Sequence, residues 1–216
     1  MAAFKEMKWA ITGGSGQLSR SLVDLLDKEG VPYITWSHKD LDVADDSSIT
    51  VIKETCPDLL INCAAWTNVD AAEEFPERAA RVNQVGPRNM ARAAKELKIP
   101  LIHISTDYVF DGETFRPYQE PDRPNPKNVY GVTKLDGEKS LIDLQVPDSI
   151  IIRTSWVYSV YGNNFVKTML RLGKEKTEIN VVNDQIGTPT NARDLARFIL
   201  DILPNFSTSE TEIYNF

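Results

Sequence analysis

The sequence is poor in cysteine and in clustered positive charge. Only two cysteines, Cys56 and Cys63, occur among 216 residues. Neither has neighbours spaced as metal ligands, which argues against a zinc site and against a disulfide framework. The formal net charge is −7, and the lysines and arginines form no cluster. Nucleic acid and anionic membranes are therefore not expected as partners.

Long apolar runs are also missing. No run approaches the about 18 residues needed to span a bilayer, and the mixed residues before Met7 lack the apolar core of a signal peptide. Together with the few cysteines, this predicts a reduced, cytoplasmic protein. A hydrophobic content of 42% and a charged content of 25% are ordinary for a globular chain, which here suits one domain with a small addition.

Short apolar runs and amphipathic stretches alternate along the first 154 residues. The pattern predicts strands at 9–12, 33–36, 59–63, 101–105 and 149–152, and helices at 17–29, from a cap at 45–48 toward 55, from 76 to about 97, and at 130–144. This alternation favours a parallel sheet with helices on both faces, a Rossmann-type doubly wound α/β fold. We assign it to a domain over residues 7–154.

The alternation of strand and helix patterns becomes less regular after residue 154. It predicts a helix at 163–174, a strand at 178–182, a helix at 194–203 and the start of a strand at 213–216. An apolar chain end of this kind is more typical of the middle of a protein. We therefore expect residues 155–216 to form a small, incomplete lobe interleaved with the sheet.

A glycine-rich turn follows the first predicted strand. Gly13 and Gly16 match the spacing Gly-x-x-Gly-x-x-Gly, whose third position is Ser19. Glycines at such a turn let the backbone approach a pyrophosphate, and the helix N-terminus supplies amide donors. A tight turn without a ligand is the alternative, but the position after the first strand of an α/β pattern favours dinucleotide binding.

The end of the second predicted strand bears on which dinucleotide binds. An acid there would hold the ribose 2′-hydroxyl of NAD, whereas this chain has Trp36-Ser37-His38-Lys39. Ser37, His38 and Lys39 suit the 2′-phosphate of NADPH, which we predict as the cofactor. Asp40 and Asp42 come slightly late in the chain for the role of that acid, and NADH stays open as the alternative.

A tyrosine and a lysine one helical turn apart indicate proton transfer. Tyr130 and Lys134 stand at i and i+4 on one predicted helix face. A free tyrosine has a pKa of about 10, which a nearby ammonium group lowers toward the working range of an acid–base catalyst. Thr106 or Ser105, at the end of the fourth strand, could hold a substrate carbonyl against Tyr130. Such a pair taken alone also arises by chance on surface helices.

Further motifs, taken in order, resemble the dTDP-4-dehydrorhamnose reductase family of the extended short-chain dehydrogenase/reductases. They cover nearly the whole chain, at residues 11–18, 62–70, 105–112, 130–134, 153–158, 162–165 and 184–190. The last two are more specific than the Tyr-x-x-x-Lys pair. The resemblance implies NADPH-dependent reduction of the C4 ketone of dTDP-4-dehydro-6-deoxy-L-mannose to dTDP-L-rhamnose, in nucleotide-sugar and cell-surface polysaccharide biosynthesis.

The resemblance also implies roles for individual residues. Contacts with the cofactor would come from Gly16, Gln17 and Leu18 at the pyrophosphate, Asp42 and Val43 at the adenine, and Ala65, Trp66 and Thr67 along the cleft. Tyr130 would donate the proton, and Lys134 would hold the nicotinamide ribose and tune Tyr130. The substrate would contact Thr106, Asp107 and Trp156. Thr106 would also adjust the proton affinity of the tyrosine, and Trp156 would pack on the sugar.

Family members continue beyond a stretch like the final one here, so the resemblance implies a truncated chain whose substrate-binding lobe is incomplete. Some members dimerise through a magnesium site built from glutamates. We match no such glutamates, assign no metal and leave a homodimer open.

Two other functions stay open. A sugar-nucleotide epimerase or dehydratase needs the same tyrosine and lysine but retains its cofactor through the cycle, so net consumption of NADPH would separate it from a reductase. The second alternative is a non-catalytic, NADP-binding regulatory subunit like that of methionine adenosyltransferase. The stretches around Trp156 and Gln185 fit the reductase better.

Overall fold

Six parallel strands form the central sheet of the described chain. A computed structural model describes residues 6–203, 207, 208 and 210–216. Its strands are β1 (Trp9–Thr12), β2 (Tyr33–Trp36), β3 (Leu59–Asn62), β4 (Leu101–Thr106), β5 (Ser149–Thr154), β6 (Val157–Tyr158), β7 (Thr190–Asn191) and β8 (Glu212–Asn215). The sheet order is β2-β1-β3-β4-β5-β8, and β6 pairs separately with β7. The chain leaves β1 toward β2 and then returns to the other side of β1, which opens a crevice at the carboxyl ends of the strands.

Helices cover both faces of this sheet. They are α1 (Gln17–Glu29), α2 (Ser47–Thr55), α3 (Val69–Glu74), α4 (Pro76–Ala80), α5 (Gly86–Leu97), α6 (Val129–Leu144), α7 (Phe165–Glu175) and α8 (Ala192–Ile202). A π-helical turn at Arg81–Val85 joins α4 to α5, and a short 3-10 turn at Asp107–Val109 follows β4. None of the described helices is long and apolar enough to cross a membrane.

Alternate side chains of β1 enter two separate cores. Trp9 and Ile11 pack with α1 and α8 on one face, whereas Ala10 packs with α2, α5 and α6 on the other. All four residues of β1 are buried, as expected of a parallel strand covered on both faces. The predicted doubly wound α/β fold is therefore confirmed.

Two predictions about local structure are wrong. The segment 178–182 forms no strand, and Val181 and Val182 are exposed; a strand needs a neighbour for its backbone groups, and the pairing in this region is made by β6 and β7 instead. The helix predicted from Pro76 onward is interrupted by the π-helical turn and is preceded by α3, which the apolar pattern did not indicate.

The domain boundary at residue 154 stays a prediction. β8 lies beside β5 in the central sheet, so residues after that boundary do contribute to the sheet of the first region.

Two glycines let α6 approach its neighbours closely. A Cβ atom at Gly131 would lie 2.2 Å from the carbonyl oxygen of Tyr108, and one at Gly137 would lie 2.3 Å from that of Asn83. Any side chain at either position would force the helix outward. α6 therefore packs directly against the turn after β4 and against the π-helical turn, and this contact places the predicted catalytic pair.

Candidate active site

The glycine turn between β1 and α1 forms a cradle of backbone atoms. Gly13 has a φ of +71°, and a Cβ atom there would lie 2.7 Å from the backbone nitrogen of Ala64. At Gly16, the N-cap of α1, no side chain caps the helix. Ser19 takes the place of a third glycine without loss of packing, because it is fully buried and its hydroxyl donates to the Gly13 carbonyl at 2.8 Å.

A cleft of about 570 Å³ opens above this cradle. Eight of the predicted cofactor residues line it together: Gly13, Gly16, Gln17, Leu18, Val43, Ala65, Trp66 and Thr67. The volume, the exposed glycine backbone and the free amide end of α1 fit a dinucleotide with its pyrophosphate at the helix N-terminus. His38, which suits a 2′-phosphate in the same way as Ser37 and Lys39, also lines the cleft.

The other five predicted cofactor residues are not among those that line the cleft: Tyr130 and Lys134 lie on α6, and Ser37, Lys39 and Asp42 follow β2. The backbone N–H and the hydroxyl of Ser37 both donate to one oxygen of Asp40, at 2.9 and 2.6 Å. These hydrogen bonds hold the pKa of the Asp40 carboxyl below its usual range. A carboxylate thus stands at the end of β2 after all, so the preference for NADPH and the roles of the three residues stay predictions.

Tyr130 lies in a largely apolar setting at the start of α6. Its side chain is 9% exposed, and its ring packs edge-on against Tyr108 with 5.6 Å between centroids. Burial raises the pKa of Tyr130 to about 12, partly opposed by its hydrogen bond with Thr106. The sequence predicted a shift in the opposite direction. A raised pKa keeps the phenol protonated at neutral pH, which is the state a proton donor requires.

Lys134 is almost completely buried one turn further along α6. Its Nζ donates to the Ile104 carbonyl at 2.6 Å, at the end of β4. Burial lowers the pKa of Lys134 to about 8, and the Glu138 carboxylate partly opposes this shift. The lysine is therefore mainly a cation at neutral pH. Desolvation of the phenol outweighs any influence of this cation on Tyr130, which explains the direction of the tyrosine shift.

Two of the predicted substrate residues, Thr106 and Asp107, lie where β4 ends and the 3-10 turn begins. Thr106 is buried, and its hydroxyl donates to the Asp107 carboxylate at 3.1 Å while accepting from the Tyr108 N–H at 3.2 Å. Burial raises the pKa of Asp107. Asp107 and Trp156 line a second pocket of about 300 Å³ together with Asn128.

The backbone at Trp156 is unusual for a bulky residue. Its φ is +46°, in the left-handed region, a conformation that is costly for large side chains and tends to occur at functional positions. Gly187 allows the arrangement, because a Cβ atom there would lie 2.9 Å from the indole ring. The indole stays 40% exposed and faces the pocket shared with Asp107.

A family model described as the RmlD substrate binding domain matches residues 7–216. The chain belongs to the RmlD family. Its six-stranded parallel sheet and its glycine cradle are thus features of an RmlD-family protein, and the predicted resemblance to dTDP-4-dehydrorhamnose reductases is confirmed.

Several similar proteins carry reductase names. A dTDP-4-dehydrorhamnose reductase from Streptomyces griseus is 40% identical over 197 residues, which are 91% of this chain and 65% of that protein. A dTDP-4-keto-6-deoxy-D-glucose reductase from Streptomyces niveus is 41% identical over 197 residues, 91% of this chain and 68% of that protein. The crystal structure of a dTDP-4-dehydrorhamnose reductase from Bacillus anthracis in complex with NADP has a TM-score of 0.91 and 42% identity, over 98% of this chain and 74% of that chain. This chain therefore spans about two thirds of the length of the two curated relatives.

One residue that the sequence reasoning missed joins three parts of the RmlD-family site. Asn83, fully buried in the π-helical turn, accepts from the Trp66 N–H at 2.8 Å and donates to the Trp66 carbonyl at 3.1 Å and the Thr133 hydroxyl at 3.2 Å. It ties the cleft wall after β3 to α6. A π-helical turn often marks a functional site, but the only sequence signal was an asparagine on the apolar side of a predicted helix.

A second missed group runs across three strands at the same level of the sheet. Asn62 accepts from the Thr12 hydroxyl at 2.7 Å and lies 3.1 Å from Nδ1 of His103. Burial holds the pKa of His103 well below its usual value, so this imidazole is neutral. Within the described ranges, no three His, Cys, Asp or Glu side chains come together in a way that could hold a metal ion.

Proposed function

We propose that this RmlD-family protein uses NADPH to reduce the C4 ketone of dTDP-4-dehydro-6-deoxy-L-mannose, giving dTDP-L-rhamnose. The observation that carries the proposal is the convergence of Tyr130, Lys134 and Thr106 at the carboxyl edge of the sheet. Lys134 is near Cys63 of the glycine cleft, and Tyr130 is near Asp107 of the Trp156 pocket. The NADP complex of a relative with 42% identity supports the choice of cofactor.

Each residue has a defined task in this mechanism. NADPH, when bound along the glycine cleft, supplies the hydride for the ketone carbon. Tyr130, kept protonated by its burial, delivers the proton to the ketone oxygen. Thr106 holds that oxygen beside the phenol, and the Lys134 cation favours the phenolate that remains after transfer.

The Trp156 pocket is assigned to the sugar. An indole that is 40% exposed offers a flat apolar face to the ring carbons, and Asp107 and Asn128 on the same pocket offer partners for hydroxyl groups. Of the two sugar nucleotides named for relatives, we favour the dehydrorhamnose form because the full set of motifs resembles that family.

Steady-state consumption of NADPH tests the proposal. Addition of dTDP-4-dehydro-6-deoxy-L-mannose should oxidise NADPH in stoichiometric amounts, whereas dTDP-4-keto-6-deoxy-D-glucose should react more slowly. A reaction that proceeds without net oxidation of NADPH would assign the site to an epimerase or dehydratase instead.

Tyr130→Phe provides the matched variant. The ring and its contact with Tyr108 survive, but the transferable proton is lost, so kcat should fall by roughly 10²-fold or more. Binding of NADPH, measured by fluorescence titration, should change little. Turnover by the phenylalanine variant at the parent rate would remove Tyr130 from the mechanism.

A further inference from the structure

A buried cluster of charges lies directly behind the catalytic lysine. Glu138 follows Lys134 by one turn on α6 and is 1% exposed. Its carboxylate accepts from Nε and Nη2 of Arg153 at 3.0 and 2.7 Å, and from the Ser105 hydroxyl at 2.5 Å. Tyr130, Lys134 and Glu138 thus form one stripe along the helix at i, i+4 and i+8.

The cluster joins the three elements that build the site. Ser105 on β4 and Arg153 on β5 are paired in register, and Glu138 on α6 bonds to both. Ser105 is the residue immediately before Thr106, so its hydrogen bond fixes the strand end that carries Thr106. The position of α6 relative to β4 therefore depends on the Glu138 carboxylate.

Stability alone does not explain such a pair. Removal of two charges from water is costly, and well-packed apolar residues often replace a buried ion pair with no loss of stability. Arg153 and Glu138 are 3% and 1% exposed, so they carry the full desolvation cost. A role in the chemistry of the site accounts for charges at this position.

The groups that face Lys134 differ in charge. On α6 these are Tyr130, a neutral phenol, and Glu138; from the end of β3 comes Cys63, whose pKa burial raises to about 12. His103 on β4 is neutral, because burial and Lys134 hold its pKa well below the usual value. Among the described residues that act on Lys134, the carboxylate of Glu138 is thus the negative charge at neutral pH.

We propose that Glu138 is a positioning residue that keeps Lys134 a cation and holds α6 in place, so that Lys134 and Tyr130 meet the substrate with Thr106. This role rests on the proposed reductase function. Arg153 and Ser105 orient the carboxylate, and the glycines that bring α6 close to the chain bring the carboxylate within reach of both.

Glu138→Gln tests the role directly. The amide keeps the size of the side chain but removes the charge, so the titration midpoint of Lys134, followed by NMR on isotope-labelled lysine side chains, should fall by roughly one pH unit or more. The alkaline limb of the kcat/KM profile should move down by the same interval. Asp136→Asn, which removes a half-buried carboxylate of α6 that pairs with Lys139 at 2.8 Å, should shift neither. Glu138→Asp should retain the midpoint of the parent.

The lysine titration needs no substrate, so it separates this inference from the proposed function. A parent protein that fails to consume NADPH would overturn the function, whereas a folded Glu138→Gln protein with an unchanged Lys134 midpoint would overturn the role of Glu138. If that variant does not fold, the double variant Glu138→Leu/Arg153→Met removes both charges, and it should fold and shift the midpoint downward by a smaller amount, because the repulsion from Arg153 is lost together with the attraction to Glu138. Failure of both variants to fold would reduce the cluster to a structural one and overturn the proposal.

Discussion

Helices α1 and α7 have the same kind of sequence but very different surroundings. α1 has 13 residues, and its leucines at positions 18, 22, 25 and 26 are all buried against the sheet. α7 has 11 residues with an apolar face of similar spacing, yet none of its residues is buried. Phe165 and Leu170 of α7 are 58% and 64% exposed.

The difference shows what apolar periodicity determines and what it leaves open. A repeat near 3.6 residues specifies a helix and the face that favours burial, and both helices formed where that repeat predicted them. What covers the face depends on topology. α1 follows a central strand and lies on the sheet, whereas α7 lies in the chain between the paired short strands β6 and β7 and meets no comparable surface among the described residues.

The largest expected contrast comes from leucine truncation. Leu22→Ala in α1 removes a fully buried side chain and should lower the free energy of unfolding by about 2–5 kcal/mol. Leu170→Ala in α7 should change it by no more than about 0.5 kcal/mol. Urea denaturation of the 216-residue chain measures both. Equal losses would mean that the apolar face of α7 is covered in solution.

A pair of glycine substitutions sharpens the contrast within helices. Gly131→Ala in α6 would place a Cβ atom 2.2 Å from the Tyr108 carbonyl oxygen and should destabilise the fold by about 1–3 kcal/mol. Gly173→Ala in α7 meets nothing within 4 Å and should stabilise by up to about 1 kcal/mol, because alanine is the better helix former. Thermal unfolding should move in opposite directions, and a shift of the same sign in both variants would contradict the packing of α6.

Lys134 in α6 and Lys174 in α7 should differ in how strongly they make the free energy of unfolding depend on pH. Burial lowers the pKa of Lys134 from 10.5 to about 8, so between these values the unfolded chain binds a proton that the folded chain has lost. The lysine therefore makes the free energy of unfolding rise with pH in this window, by at most about 1.4 kcal/mol per pH unit. Lys134→Met should abolish the rise, whereas exposed Lys174→Met in α7 should leave it.

Denaturation should be compared between pH 8 and pH 9, because Cys63 and Tyr130, whose pKa values burial raises from 9.0 and 10.0 to about 12, act in the opposite direction above that range. An unchanged slope in Lys134→Met would show that another group titrates there.

The sequence was informative where one local rule determined the outcome. The bounds of β1, β2 and α1 followed from apolar runs, and in the structure Gly30 ends α1 in the left-handed conformation. These bounds depend on residues close together in the chain, so a pattern in the sequence carries the information. The lining of the glycine cleft comes from distant segments, and Val43 and residues 65–67 were predicted from the resemblance to a known family.

Features that depend on contacts between distant segments could not be read in this way. The pKa of Tyr130 was predicted to fall because Lys134 is near in sequence, but burial by the rest of the fold has the larger effect. Asp40 was judged too late to act at the end of β2, yet the chain turns back and brings it to Ser37. The buried hydrogen-bond network of Glu138 joins β4, β5 and α6, and no spacing of residues along the chain predicts it.

The π-helical turn at Arg81–Val85 also limits which insertions and deletions this chain can accept in the course of evolution. Such a turn holds one residue more than a regular helix would need. Loss of that residue would rotate every later side chain of α5 by about 100° around the helix axis, turning Met90 and Ala93, both fully buried, away from the core. Insertions and deletions should thus be tolerated in surface loops but not between Ala80 and Gly86, where the length of the chain is itself part of the site.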